Sequence, residues 1–290
     1  MTPTYHVDGR LVPAGEGSVD IRDRGFMYGD AAFETLRVYD GEPFGWEAHV
    51  DRLERTLTTL DFAEAMPPRA DLLDRVDETV AANDFTDCWA KLSITRGVQP
   101  GKLTPADRVD PTILVTLGEL PRGGVHGHPV WDGPATTRIA TRRQPSPDAI
   151  PPGAKTHNYL HGILARLELR GTESDEALVL DGDGYLTEGA TSNLFFVDEG
   201  RLRTPSTARP LLPGITRSVV LELARSEDFP VETGSYRRTD LRRADEVFLT
   251  NSTWEIRPVT RVGDETYDVG PITTLLGRLF DERVEAEHYD

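Results

Sequence analysis

Lysine, cysteine and long apolar runs are scarce in this chain of 290 residues. Lysine occurs three times, at Lys91, Lys102 and Lys155, so a reactive amine must be one of three side chains. Cys88 is the single cysteine, which excludes an intrachain disulfide and favours a reducing cytoplasm. No apolar run approaches the roughly 20 residues that span a bilayer, and the first residues lack the basic and apolar segments of a signal peptide. We therefore expect a cytoplasmic protein with no membrane partner.

Positive charge is also in short supply. The formal net charge is −17, with 49 acidic residues against 32 lysines and arginines. Nucleic-acid binding requires clustered cations that neutralise phosphates, so this composition argues against it. An acidic surface with few lysines favours an organism adapted to salt. A GC-rich genome, which encodes arginine in preference to lysine, is the alternative explanation.

Apolar periodicity predicts a mixture of strands and helices. A strand pair turns at Asp8-Gly9, and further strands are expected at 32–39, 89–95, 112–117, 137–141, 177–180, 194–197 and 246–249. Helices are expected at 46–60, 72–83, 158–169, 216–224 and 272–285. No regular βαβ alternation is present, which favours an α+β fold. The segment 121–130 is rich in Gly and Pro and predicts a linker between a small N-terminal domain, 1–120, and a larger domain, 131–290.

Four phrases carry candidate chemistry. Lys155 lies in Gly153-Ala154-Lys155-Thr156-His157-Asn158-Tyr159, and Glu188 opens Glu188-Gly189-Ala190-Thr191-Ser192-Asn193. The segment 212–217 is a turn that opens a helix, and 250–256 is a polar turn after a strand. A lysine amine forms Schiff bases, a carboxylate holds a pyridine nitrogen protonated, and a glycine before a helix presents N–H groups to phosphate. Each phrase alone fits an ordinary surface loop, but the four together indicate pyridoxal phosphate.

The order of the motifs resembles that of the class IV pyridoxal-phosphate aminotransferases, which have fold type IV. Two earlier segments share this order: Arg24-Gly25-Phe26-Met27-Tyr28-Gly29-Asp30 with Phe33-Glu34-Thr35-Leu36-Arg37, and His49-Val50-Asp51-Arg52-Leu53. The resemblance runs from about residue 5 to 259. It implies a two-domain α+β fold with the cofactor at the domain interface, and 131–290 as the cofactor-binding domain. It also implies a homodimer in which a loop of the neighbour completes each site.

The resemblance also implies a role for individual residues. Lys155 would hold the cofactor as a Schiff base and shuttle the proton of the substrate Cα. Glu188 would pair with the pyridine nitrogen and Tyr159 with the phenolic oxygen. The phosphate would be held by Arg52, Gly214, Ile215, Thr216 and Ser252, and the substrate would meet Phe33, Arg37, Lys91, Thr253 and Trp254. For Arg37 and Lys91 the alternative is a charge in water at a strand edge.

The expected activity is transfer of an amino group between an amino acid, branched-chain or related, and a 2-oxo acid by a ping-pong mechanism. The alternative is 4-amino-4-deoxychorismate lyase, which shares the early steps and then eliminates pyruvate. A non-catalytic binding protein on the same fold is the remote alternative. The short spacing from Lys155 to Tyr159, and the absence of Tyr-x-Arg-Pro from 90–97, resemble the lyase and D-amino-acid branches. The Arg-x-His trap of the D-amino-acid branch is missing. No metal is expected, because His126, His128, His157 and His161 lack ligand spacing.

Overall fold

The structure is a computed structural model that describes residues 2–122 and 130–289. The helices of this part of the chain are α1 (Arg24–Tyr28), α2 (Trp46–Thr59), α3 (Arg69–Ala81), α4 (Leu160–Leu167), α5 (Ile215–Ser226), α6 (Arg238–Leu241) and α7 (Pro271–His288). The strands are β1 (Thr4–Val7), β2 (Arg10–Pro13), β3 (Ala31–Tyr39), β4 (Glu42–Pro43), β5 (Cys88–Thr95), β6 (Ile113–Glu119), β7 (Ala135–Arg143), β8 (Glu176–Leu180), β9 (Leu186–Gly189), β10 (Asn193–Asp198), β11 (Arg201–Pro205), β12 (Val231–Gly234), β13 (Glu246–Asn251), β14 (Glu255–Val262) and β15 (Glu265–Thr266).

The chain divides into two compact units. The first unit comprises the chain up to Pro121, together with Ala154–Asn158 and Tyr289. The second unit comprises Arg122–Gly153 and Tyr159–His288, as far as these residues are described. Most of the predicted linker, with His126 and His128, lies outside the described residues. The role of each domain in cofactor binding stays a prediction.

The first unit is a six-stranded sheet covered on one face by helices. The strand order is β2-β1-β6-β5-β3-β4, and every pairing is antiparallel. Side chains alternate along β3, so Leu36 and Val38 lie on the face that packs against Leu53 and Leu57 of α2. Phe33 and the other residues of its parity occupy the opposite face. The helix-covered face therefore forms the core of this unit and leaves Phe33 on the other side.

A segment distant in sequence extends the same sheet beside β3. The backbone N–H of Phe33 donates to the carbonyl of Lys155 over 3.0 Å, and the N–H of His157 donates to the carbonyl of Ala31 over 3.0 Å. Thr156 forms an antiparallel bridge with Ala32. The side chain of Asn158 donates to the carbonyl of Gly29. These bonds place the Lys155 segment in the first unit.

The second unit is a nine-stranded mixed sheet. The main order is β12-β11-β10-β13-β14-β7-β8-β9, and β15 pairs with β14. Strands β10 and β13 contribute Leu194, Phe196, Val247 and Leu249 to one core. Helix α4 packs against β7 and β8, where Ala165 meets a second group of buried residues. Helices α5 and α7 pack against each other and against β13.

The mixture of elements confirms the α+β class predicted from periodicity. All five predicted helices are present, although the one expected at 158–169 spans only Leu160–Leu167. It begins late because Asn158 is held in the extended segment beside β3. Periodicity does not predict strand β14, because Pro258, which cannot donate a hydrogen bond, lies within it opposite Phe248.

Candidate active site

Lys155 is held by its backbone on both sides. Its carbonyl accepts from Phe33, as described above, and its N–H donates to the hydroxyl of Thr56 over 3.1 Å. The same hydroxyl donates to the carbonyl of Arg52 one turn earlier in α2. Thr56 therefore joins the lysine segment to the helix that carries Arg52. The first unit brings these two predicted site residues together.

Three nitrogen-containing side chains contact the ring of Phe33. Nζ of Lys155 lies 4.4 Å and Nζ of Lys91 lies 4.3 Å from the ring centroid. The His157 ring contacts Phe33 edge-on, at 5.5 Å between centroids, and its Nε2 lies 3.2 Å from Oγ of Ser93. Two of the three lysines of the chain thus lie over one aromatic ring, on the face of the sheet away from the core.

Burial changes the protonation of this group. Desolvation lowers the pKa of the Lys91 amine. Desolvation, assisted by the charge of Lys91, lowers the pKa of His157 to about 4. His157 is therefore neutral at pH 7 and can hydrogen-bond to Ser93 without adding positive charge beside the two amines.

Arg52 is fixed by a buried carboxylate. Its Nε donates to Oε1 of Glu34 over 2.8 Å and its Nη2 to Oε2 over 2.5 Å, while Nδ1 of His49 lies 2.7 Å from Oε2. Burial alone would raise the pKa of Glu34, but the charge and hydrogen bonds of Arg52, with the bond from His49, lower it to about 2. Burial lowers the pKa of His49. This bidentate hydrogen bonding to Glu34 fixes the plane of the Arg52 guanidinium group.

Glu188 lies on strand β9, opposite Val179. The pairing changes from Val179 with Glu188 to Leu180 with Leu186, so β9 contains one extra residue, Thr187, and the bulge lies next to Glu188. Oε1 of Glu188 accepts from Nε2 of Gln144 over 2.9 Å, and Oε2 accepts from the N–H of Leu212 over 3.0 Å. N–H donors favour the ionised form of a carboxylate, which is the form that can pair with a protonated pyridine nitrogen.

The turn at 212–214 leads into helix α5. Gly214 is the N-cap, and Ile215 and Thr216 are the first helical residues. The N-cap has no side chain to bond the first N–H groups of the helix. Together with the helix dipole, such N–H groups bind phosphate well. Thr216 is buried, with its hydroxyl in the first turn.

Asn251 organises the second polar turn. Its Oδ1 accepts from the N–H of Thr253 over 3.0 Å and from the N–H of Trp254 over 2.7 Å. The hydroxyl of Thr253 also donates to this oxygen. A substrate carboxylate that binds these amides, as the resemblance implies, must share or replace the oxygen of Asn251. Ser252, between them, is half-buried.

The remaining predicted residues differ in their surroundings. Tyr159 is the N-cap residue of α4, with its ring 5.6 Å from that of His161. Arg37 is 1% exposed, and its guanidinium donates to the carbonyls of Leu120 and Pro121. It also lies 4.8 Å from the centroid of Tyr39. Arg37 therefore anchors the segment that follows β6, and its burial excludes the alternative of a charge in water.

The residues of each unit fit parts of pyridoxal phosphate. The first unit holds an amine beside an arginine that a carboxylate orients. The second holds a carboxylate that accepts hydrogen bonds from N–H donors and a helix N-terminus preceded by glycine. Thr56, Gln144 and Asn193, whose Nδ2 donates to Oε2 of Glu188, contribute to these arrangements, and the sequence does not predict their roles. Neutral amides and hydroxyls bond so many partner types that position in a sequence gives no signal for them.

The pattern of the family described as amino-transferase class IV matches residues 31–262. The chain belongs to the class IV aminotransferase family. This match spans β3 to β14 and contains Arg52, Lys155 and Glu188. The family resemblance seen in the motifs is thereby confirmed.

Individual members of the class IV aminotransferase family are similar over almost the full length. A putative branched-chain-amino-acid aminotransferase of Methanocaldococcus jannaschii is 34% identical over 280 residues, which cover 96% of this chain and 95% of the relative. A branched-chain amino acid aminotransferase from T.th., solved with pyridoxamine 5'-phosphate, has a TM-score of 0.90 at 26% identity, covering 100% and 96% of the two chains. The 4-amino-4-deoxychorismate lyase of Pseudomonas aeruginosa has a TM-score of 0.81 at 31% identity, covering 98% of each chain. The predicted fold type IV is confirmed.

Within residues 2–122 and 130–289, no helix combines the length and apolar character that a membrane crossing requires.

Proposed function

We propose that this class IV enzyme is a pyridoxal-phosphate-dependent aminotransferase that moves the amino group of an amino acid, branched-chain or related, to a 2-oxo acid. The observation that carries the proposal is the fixation of Lys155 beside Arg52 through the hydroxyl of Thr56. The relationship to a putative branched-chain enzyme, at 34% identity over nearly the whole chain, supports the substrate class. The similar branched-chain enzyme solved with pyridoxamine phosphate supports the cofactor.

Lys155, Glu188 and Tyr159 are proposed to act on the reacting part of the ligands. When bound, pyridoxal phosphate supplies an electron sink for the negative charge that develops when Cα of the substrate loses its proton. Lys155 would hold the cofactor covalently through its amine and, as a free amine, would accept and release the proton that Cα loses. Glu188 keeps the ring nitrogen protonated, and Tyr159 donates to the phenolic oxygen.

Two sets of donors are proposed to bind the anionic ends of the ligands. Arg52, Ser252 and the N-terminus of α5 at Gly214, Ile215 and Thr216 bind the phosphate. The turn at Thr253 and Trp254 binds the substrate carboxylate. Phe33 and Lys91 face the substrate side chain, whereas the buried Arg37 has a structural role instead.

Lys91 supports a second candidate, the aminodeoxychorismate lyase reaction. A half-buried amine next to Lys155 suits a substrate with a second carboxylate, and the lyase of Pseudomonas aeruginosa is 31% identical. The two activities differ in what they need. The transferase requires a 2-oxo acid acceptor, whereas the lyase releases pyruvate from one substrate alone.

Covalent attachment of the cofactor is tested by borohydride reduction of the protein with pyridoxal phosphate, followed by peptide mass mapping. Only three lysines are present, so the adduct is assigned without ambiguity. We expect it at Lys155, and we expect Lys155→Ala to lose both the adduct and turnover. Lys102→Ala, at an exposed lysine, is the matched control and retains both. An adduct at another lysine would overturn the assignment.

The reaction is tested by two assays of the same preparation. Branched-chain amino acids with 2-oxoglutarate are expected to give glutamate, and aminodeoxychorismate without an acceptor is expected to give no pyruvate. Pyruvate release in the second assay, with no glutamate in the first, would replace the transferase by the lyase. A protein that takes up no cofactor would support the non-catalytic alternative.

A further inference from the structure

Asn193 bonds two parts of the second unit that the proposed function treats separately. It is the first residue of β10 and is 6% exposed. Its Nδ2 donates to the carbonyl of Leu212 over 2.9 Å and to Oε2 of Glu188 over 3.3 Å. The N–H of Leu212 donates to the same Glu188 oxygen over 3.0 Å. The carboxylate and the turn before α5 are therefore linked twice, once directly and once through the amide.

The glycine of this turn is required by the same asparagine. A Cβ atom on Gly214 would lie 2.0 Å from Oδ1 of Asn193, far closer than van der Waals contact allows. The backbone φ of Gly214 is −68°, which any residue adopts. Glycine is thus needed here for the space that the asparagine oxygen occupies, and not for an unusual backbone conformation. Both polar ends of the Asn193 side chain contact the turn.

We propose that Asn193 is a positioning residue that sets the separation between the Glu188 carboxylate and the N-terminus of α5. The inference rests on the proposed function, in which these two groups bind the ring nitrogen and the phosphate of one cofactor. If the two groups are held at a fixed separation, binding of the ring nitrogen at Glu188 positions the phosphate at the N-terminus of α5. The two ends of the cofactor then bind cooperatively. Asn193 touches neither the reacting atoms nor the proton in transit.

A double-mutant cycle tests the steric part of this inference. Asn193→Ala and Gly214→Ala are each expected to raise the Kd of pyridoxal phosphate about tenfold or more, as measured by absorbance titration. The Kd of the combined variant is expected to be no higher than that of the weaker-binding single variant. The reason is that removal of the Asn193 amide leaves space for the Cβ atom introduced at position 214. Effects that multiply, or a wild-type Kd for Asn193→Ala, would overturn the proposal.

Ligands that contact only one end of the site distinguish a positioning role of Asn193 from a general loss of structure. Pyridoxal, which lacks the phosphate, and inorganic phosphate each contact one end, so their Kd values are expected to change less than about threefold in Asn193→Ala. If the affinities for pyridoxal, phosphate and pyridoxal phosphate fell equally, the variant would have lost local structure in general, and the proposal would be refuted. Asn83→Ala, which removes an amide with three hydrogen bonds in the first unit, is the control and retains wild-type binding.

Urea unfolding of the apo variants shows whether each still folds. If Asn193→Ala fails to fold, Asn193→Ser, which keeps a shorter polar group, takes its place in the cycle with the same expectations. A wild-type protein that binds no pyridoxal phosphate would refute the proposed function. Normal binding by the wild type, with an unchanged Kd in the variant, would refute the Asn193 inference alone.

Discussion

The carboxylate of Glu34 contacts both Arg52 and His49 in the interior of the first unit. We expect Glu34→Gln to lower the free energy of unfolding by about 3 kcal/mol, because the buried guanidinium group of Arg52 loses its ion pair with this carboxylate. Urea unfolding of the apo protein measures this loss. Cofactor affinity is expected to fall in the same variant, since the guanidinium group is no longer fixed.

A matched exchange at the surface provides the control for Glu34. Glu54 pairs with Arg69, but its side chain is 52% exposed. Glu54→Gln should therefore change the free energy of unfolding by less than about 1 kcal/mol and leave cofactor affinity unchanged. Equal losses in the two variants would contradict the importance of burial at Glu34.

His157 makes the stability of the first unit depend on pH. Burial holds the pKa of His157 at about 4 in the folded protein, below the ordinary value of 6.5. Between these values the unfolded chain binds the proton more readily, so stability is complete above pH 6.5 and falls as the pH drops toward 4. The loss amounts to at most about 3 kcal/mol.

His157→Gln is expected to flatten this part of the pH dependence. Glutamine keeps a polar contact to Ser93 but does not titrate. The free energy of unfolding, measured between about pH 4 and 7, should vary less in the variant than in the wild type. An unchanged slope would assign the acid sensitivity to other groups.

The candidate site residues that the sequence predicts are those with a charged side chain or a residue type that is rare in this chain. Lys155 stands out because the chain has three lysines, and Glu188 because a carboxylate has few roles beside a phosphate-binding turn. Gln144 and Thr56 bond to residues 44 and 99 positions away, which no local pattern reveals. Arg37 has the same charge as a substrate-binding arginine, and only its carbonyl partners show that it is an anchor.

At the scale of elements, helix α2 and the Lys155 segment depend on one hydroxyl. Thr56 is 1% exposed and connects the N–H of Lys155 to the helix backbone. Thr56→Val keeps the shape but leaves this N–H without its acceptor, which we expect to reduce kcat about tenfold and the free energy of unfolding by about 1–2 kcal/mol. Steady-state kinetics of the holoenzyme and urea unfolding measure the two effects.

Two further exchanges identify the hydroxyl as the cause. Thr56→Ser restores the acceptor and should recover most of kcat. Thr58→Val removes an exposed hydroxyl that donates to the carbonyl of Glu54 in the same helix, and should leave kcat unchanged. A Thr56→Ser enzyme as slow as Thr56→Val would point to packing and not to the hydrogen bond.

Elements with a clear apolar period are predicted well, and those with mixed character are not. Helix α2 is predicted at 46–60 and spans Trp46–Thr59, because Leu53 and Leu57 recur on one face. Strands β11 and β12 contain few apolar residues and owe their conformation to pairing with each other and with β10. Where the local strand propensity of a segment is weak, pairing with neighbouring strands determines whether it adopts a strand conformation.

At the scale of the whole molecule, the net charge of −17 predicts a response to salt. Repulsion among surface carboxylates opposes the compact state and is screened by added ions. We expect the unfolding midpoint to rise as KCl is increased from about 0.1 to about 2 M. A midpoint that is constant or falls would favour the GC-rich genome as the origin of the composition.

A second whole-molecule prediction concerns assembly. Ile21, Phe26 and Leu103 of the first unit are 77%, 73% and 78% exposed, and a bond from Arg24 to the carbonyl of Leu103 holds two of these segments together. Exposed apolar clusters of this kind mark association surfaces. We expect a homodimer, and we expect Phe26→Ser with Leu103→Ser to weaken it in light scattering. Val269→Ser, at an apolar residue of the second unit, serves as the control. A monomeric wild type would contradict the prediction.

The pairing of Lys155 with β3 has a consequence for any attempt to divide the protein. A fragment that ends at Pro121 would contain Arg52 and the complete helical layer, yet the N–H of Phe33 and the carbonyl of Ala31 would lose the strand that saturates them. Such an uncovered sheet edge recruits other chains and favours aggregation. The lysine segment is therefore a piece of scaffold as well as a source of chemistry, and the first unit is complete only when the chain has returned to it.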